Sequence, residues 1–210
     1  MEPVPADGIV FDTKTINVER TQIDADYEGI RVRFTGYLGK ARIPMQIDIG
    51  FSDVLASPVE RVDYPTLLNG TNIPRLKSYP KESMVSEKFH AMIRHAQLNS
   101  RFKDYYDLWL IADNFEFEAQ VLQKAIEQTF AKRNTEIPVE RPVGLTAEFA
   151  ETNRDKWTKF LNKSNLQSKG VEDFVDVTER IWSFVEYPIR VSSGEESSKA
   201  LHWIPQKGWT

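Results

Sequence analysis

The chain changes its hydrophobic period once. Between residues 8 and 51 apolar side chains recur at every second position, and from residue 81 onward they recur at three- and four-residue spacing. A period of two suits a half-buried strand and a period near 3.6 an amphipathic helix. The segments GIVFDTKTINV (8–18), IRVRFTGYL (30–38) and IPMQIDIGF (43–51) therefore read as strands, with GKAR between the last two as a hairpin and Gly29 as a turn or bulge where the second strand begins. Pro58, Pro65, Pro74 and Pro80 mark 54–81 as loop. KESMVSEKFHAMIRHAQ (81–97) then places Val85, Phe89, Met92, Ile93 and Ala96 on one helical stripe. A second helix is predicted over 101–113, capped by Asn99 or Ser100. A third, over 117–132, carries Val121, Leu122, Ala125, Ile126 and Phe130. Two more follow the Pro138–Pro142 break, over 146–162 and 171–186.

Strands first and helices after make the fold class α+β, with an antiparallel or mixed sheet in the N-terminal third and a helical C-terminal half. The expected organisation is a sheet region at 1–80, a helical region packed on it at 81–186, and a tail at 187–210 bearing Trp203 and Trp209.

Composition narrows the chemistry. Cysteine is absent, which removes disulfides, thiolate zinc sites and a cysteine nucleophile, and three separated histidines argue against a histidine-rich metal site. A net charge of −4 is not that of a general nucleic-acid binder. There is no Walker loop, dinucleotide fingerprint or nucleophile elbow. No basic-then-apolar leader opens the sequence and no apolar run has the roughly 20 residues of a bilayer span, so the expected location is the cytoplasm.

Three groups of charges remain. In NSRFKDYYDLW (99–109), Phe102, Tyr105, Leu108, Trp109 and Ala112 make the buried stripe, with Asp104 on its flank and Asp107 further toward solvent. Lys103 and Asp107 form an i, i+4 pair of the kind that ordinarily decorates a surface helix. Lys88 lies on the flank of the 81–97 stripe, where a lysine commonly covers the core edge with its stem. Asp48 shares a strand face with Gln46 and Gly50, while Ile47 and Ile49 take the face expected to be covered. Such an acid either faces water or offers oxygen to a hard cation such as Mg²⁺.

Taken together, RIPMQIDIGFSD, YPKESMVSEKFHAM, NSRFKDYYDLW and AIEQTFAKRNTEIP resemble the AbiEii/AbiGii toxin family, nucleotidyltransferase-like proteins of bacterial abortive-infection and toxin–antitoxin systems. The resemblance implies a polymerase-β-like sheet with a helical second half. It also implies Mg²⁺ and an NTP as cofactor and substrate, and transfer of a nucleotide to an acceptor hydroxyl, with an RNA such as tRNA as the expected acceptor and a cognate antitoxin as partner. By the same resemblance Asp48 matches a metal-binding carboxylate and Lys88, in SEKF, a lysine that meets the triphosphate. Asp104 and Asp107 match the segment that closes over the site, and Arg101 and Lys103 stand with Lys88 as nucleotide contacts.

The family's glycine-rich motif and its D-x-D do not precede the first strand; Asp24 and Asp26 in QIDADY are the nearest pair and lack the Gly-Ser before them. The resulting expectation is a C-terminal part of such an enzyme, with one of the three metal carboxylates, that by itself binds Mg²⁺–NTP weakly and transfers nothing. The rival expectation is a non-catalytic module of the same fold that engages an antitoxin, RNA or a partner subunit.

Overall fold

The computed structural model describes residues 8–24, 27–50, 55, 58–67, 73–95, 101–166 and 171–210. The chain divides into two units, Met1–Asp53 and Val54–Thr210.

The first unit holds three antiparallel strands in the order β1–β2–β3: β1 (Ile9–Asp24), β2 (Tyr27–Leu38) and β3 (Ala41–Gly50). Gly39 and Lys40 join β2 to β3, and Gly39 has the positive φ, +57°, that a primed hairpin turn asks of its first central residue. A two-residue turn leaves no freedom of register, so Leu38 faces Ala41, Val32 faces Ile47 and Arg31 faces Asp48. β1 runs six residues beyond the predicted strand because its ladder to β2 continues through Glu19, Arg20 and Thr21 despite the loss of alternation. Its register slips between Asp12 and Asn17. There the Thr15 hydroxyl accepts from the Thr35 backbone N–H at 2.9 Å, a side chain standing in for the missing strand partner. Gly29 is not a turn; it pairs with Thr21 and Gly50 inside the sheet. On the face predicted to be covered, Ile47 and Ile49 are 50% and 41% exposed, and Val18 and Phe11 are exposed as well.

In the second unit the predicted loop contains a hairpin, β4 (Glu60–Asp63) with β5 (Arg75–Ser78). All four prolines stand outside these strands, so none removes a ladder donor. The helices follow: α1 (Lys81–His95), α2 (Phe102–Asn114), α3 (Ala119–Lys132), α4 (Ala147–Thr152), α5 (Arg154–Ser164) and α6 (Phe174–Ser192). Asn99 and Ser100 fall outside the described residues; the cap position of α2 is Arg101, which makes no side-chain cap bond. The predicted helix over 146–162 is two helices, broken at Asn153, whose side-chain amide donates to the Phe149 carbonyl at 2.9 Å.

The core follows the predicted stripes. Val85, Phe89 and Met92 of α1, Tyr105, Leu108 and Ala112 of α2, and Leu122, Ile126 and Phe130 of α3 are buried. α6 packs against α2, α3 and α4. Trp157 stacks on Phe174 at 4.7 Å and donates its indole N–H to the Val171 carbonyl.

The tail is part of this core. α6 continues past the predicted end to Ser192 through Pro188, and beyond it β7 (His202–Ile204) and β8 (Gly208–Trp209) form a small antiparallel sheet with β6 (Phe117–Glu118). Pro188 has no N–H for the Phe184 carbonyl four residues back. Trp209 supplies one instead, its indole nitrogen 3.0 Å from that oxygen. Trp203, fully buried, donates to the Ala112 carbonyl at 2.7 Å, a group the end of α2 leaves without a helical partner. Both tail tryptophans thus satisfy carbonyls that helices leave open.

Candidate functional site

α2 carries Asp104 and Asp107 three residues apart, hence on one helix face, where two carboxylates alone would repel. Asp104 lies in the first turn, where the positive end of the helix dipole favours an acid. Its neighbours on the stripe, Tyr105 and Leu108, draw it into the protein, and its side chain is only 8% exposed. Asp107 is half-buried.

Lys88 of α1 comes between them. Its ammonium donates to Asp104 Oδ1 at 2.8 Å and to Asp107 Oδ2 at 2.7 Å. The outer oxygen of Asp104 meets Arg101 Nε at 2.9 Å, and Asp107 Oδ2 also accepts from Lys103 at 2.6 Å. The lysine stem is largely buried while Arg101 and Lys103 are exposed. Three cations on two carboxylates leave one positive charge, with its exposed part at the rim.

The protonation states are fixed by these contacts. For Lys88, burial works against the charged form, but the hydrogen bonds and charges of Asp104 and Asp107 outweigh it and raise its pKa above 10.5. For Asp107, burial again opposes the charge, yet the hydrogen bonds from Lys103 and Lys88 hold its pKa below 3.8. Neither group exchanges a proton near neutrality, so the cluster is suited to electrostatics and positioning rather than to acid–base work. The predicted residues Lys88, Arg101, Lys103, Asp104 and Asp107 are brought together; the neighbouring residue of α1, Glu87, pairs instead with Arg133 at the end of α3.

Asp48 belongs to the first unit. Arg31, its cross-strand neighbour, grips it with two bonds, Nε to Oδ1 at 2.7 Å and Nη2 to Oδ2 at 3.0 Å. Gln46 adds a third at 3.0 Å. The hydrogen bond from Arg31 lowers the Asp48 pKa, and the same bond raises that of Arg31. Arg31 is the residue the sequence reading missed, although the two-residue turn implies the pairing: positions facing each other across β2 and β3 sum to 79.

A Mg²⁺ centre needs several convergent oxygens. Both oxygens of Asp48 are taken by Arg31 and Gln46, and among the described residues no three His, Asp or Glu side chains cluster to hold an ion. The described residues do not fit a metal. Among them, too, no helix is long and apolar enough to cross a membrane.

Antiparallel strands in the N-terminal part followed by helices are the α+β class expected from the sequence. Residues 2–180 match the family described as nucleotidyl transferase AbiEii toxin, type IV toxin–antitoxin system. The chain belongs to this family. Comparison with curated proteins and with solved structures returned no match.

Proposed function

We propose that this protein serves a nucleotidyltransferase toxin that in complete form moves a nucleotide from an NTP to an acceptor hydroxyl on RNA such as tRNA, under the control of a cognate antitoxin. We further propose that the Lys88 cluster meets the triphosphate. The observation that carries this reading is the ammonium of Lys88 fixed between Asp104 and Asp107, with Arg101 and Lys103 at the exposed rim. A permanently charged lysine whose position is set by two acids attracts a phosphate without reorganising. In this reading Lys88, Arg101 and Lys103 contact phosphate oxygens, while Asp104 and Asp107 hold the cations in place. No role is given to Asp48 as it stands, bound by Arg31.

One observation favours a second reading, a non-catalytic module of the same fold that engages an antitoxin, RNA or another subunit. The carboxylate that matches a metal ligand is neutralised by a neighbouring guanidinium rather than left open.

The test is a paired measurement on the full chain: equilibrium binding of radiolabelled NTPs, and transfer of label to bulk tRNA with Mg²⁺ present. The first reading expects NTP binding that Lys88→Met weakens by about tenfold or more, with any transfer lost in parallel. Equal NTP binding by wild type and Lys88→Met would sink it. RNA or antitoxin binding with neither NTP binding nor transfer would establish the second reading.

A further inference from the structure

The second unit has a cleft of about 680 Å³ between the β4–β5 hairpin and the corner where α2 passes into β6 and α3. It begins at Lys81, seven residues ahead of Lys88 on the same face of α1, or roughly 10 Å along the helix axis. Two properties of its walls matter. Part of the lining is apolar and exposed: Phe115 is 50% and Val62 39% accessible. The rest is strongly acidic, with Glu60, Glu82, Glu116 and Glu118 against one lysine, Lys81, and one histidine, His202.

That lysine does not balance the charge. Lys81 donates to the Glu116 backbone carbonyl at 2.6 Å and sits over the Phe117 ring at 4.7 Å, and its nearest carboxylate, Glu82, is 3.9 Å away. Among the described residues Glu60, Glu116 and Glu118 have no basic partner. Among the described residues β4 pairs with β5 alone, which leaves the outer edge of the hairpin without a strand partner. Exposed aromatic and aliphatic surface, uncompensated carboxylates and an unpaired strand edge describe a surface for an extended chain. A phosphate-bearing ligand is disfavoured by the same carboxylates.

We propose that this cleft docks an extended peptide segment of a partner protein in which arginine or lysine alternates with apolar side chains. The basic residues meet Glu60, Glu116 and Glu118, and the apolar ones cover Phe115 and Val62. Complementary charge sets both the choice of partner and the encounter rate. The surface is separate from the nucleotide reading of the Lys88 cluster and stands without it.

The experiment titrates the full chain into a fluorescein-labelled nine-residue peptide of alternating arginine and leucine, followed by anisotropy, beside its glutamate-for-arginine counterpart. The triple variant Glu60→Gln, Glu116→Gln, Glu118→Gln is compared with a control of equal net charge, Glu148→Gln, Glu151→Gln, Asp155→Asn, on the exposed surface of α4 and α5. Expected are binding of the basic peptide only, a loss of about tenfold or more in the cleft variant, no loss in the control, and a weaker effect of Phe115→Ser. Equal losses in both triple variants would reduce the result to general charge attraction and overturn the proposal. So would absence of binding, equal binding of the acidic peptide, or displacement of the peptide by NTP or RNA. If the triple variant does not fold, Glu118→Gln and Phe115→Ser singly carry the same comparison.

Discussion

Lys88 and Asp104, sixteen residues apart in sequence and on different helices, meet at 2.8 Å with the carboxylate almost wholly buried. This contact ties α1 to the start of α2 and places a cation beside two acids that α2 alone would keep in mutual repulsion. Replacing Lys88 by methionine keeps the stem's packing and removes only the charge. Asp104 and Asp107 then confront each other with Arg101 and Lys103 as their cations, and one carboxylate holds its proton to higher pH. Thermal melts across pH should show the acid limb of the stability curve displaced upward in Lys88→Met. An unmoved limb would deny the lysine its electrostatic role.

The two acids should not be equivalent. Asp104→Asn, at the buried position, is expected to cost about 3 kcal/mol, the lower end for a broken buried pair because Lys88 keeps Asp107. Asp107→Asn, half-exposed and bonded to a solvent-facing lysine, should cost about 1 kcal/mol. Urea unfolding of the two variants checks the order. A larger loss in Asp107→Asn would place the weight of the cluster on its outer side.

The wild-type pH profile has a definite sign. Asp107 is held below 3.8 in the folded protein, so its contribution is complete above its unfolded pKa and fades as pH falls through the folded value. Lys88 is raised above 10.5, so its contribution is complete below that value and fades as pH rises through the folded pKa. Between these limits the cluster adds no slope of its own. Denaturant midpoints from pH 5 to 9 should therefore be insensitive to Asp107→Asn in shape, though lower throughout, and a pH-dependent gap within that range would contradict the assignment.

Trp209 and Pro188 should be coupled through the Phe184 carbonyl. Trp209→Phe removes the donor to the Phe184 carbonyl and should cost about 1–2 kcal/mol. Pro188→Ala returns a backbone N–H to that same oxygen, so in its background Trp209→Phe should cost less. A double-mutant cycle reads the coupling. Strict additivity would mean that the indole bond does not replace the one proline removes.

Much of this was written locally. Gly39 and Lys40 set the β2–β3 register, and with it the meeting of Arg31 and Asp48. The 3.6-residue spacing placed Tyr105, Leu108 and Ala112 in the core and put Lys103 beside Asp107. The β4–β5 hairpin is not legible in the sequence because ERVD and RLKS lack the alternation and β-branched content of a strand, and pairing with each other is what makes them strands. The exposure of Ile47 and Ile49 also lay beyond the pattern, since alternation separates two faces and says nothing of what covers either.

The sequence by itself determined the order of strands and helices, the core stripe of each helix and the acids shared by one face of α2, because those follow from backbone periodicity and short-range geometry. Only the tertiary structure decided that Lys88 lies between Asp104 and Asp107, and that Trp203 and Trp209 close two helical carbonyls. Those outcomes depend on which elements come within hydrogen-bond reach and on which polar groups burial compels to find a partner, and no local period encodes either.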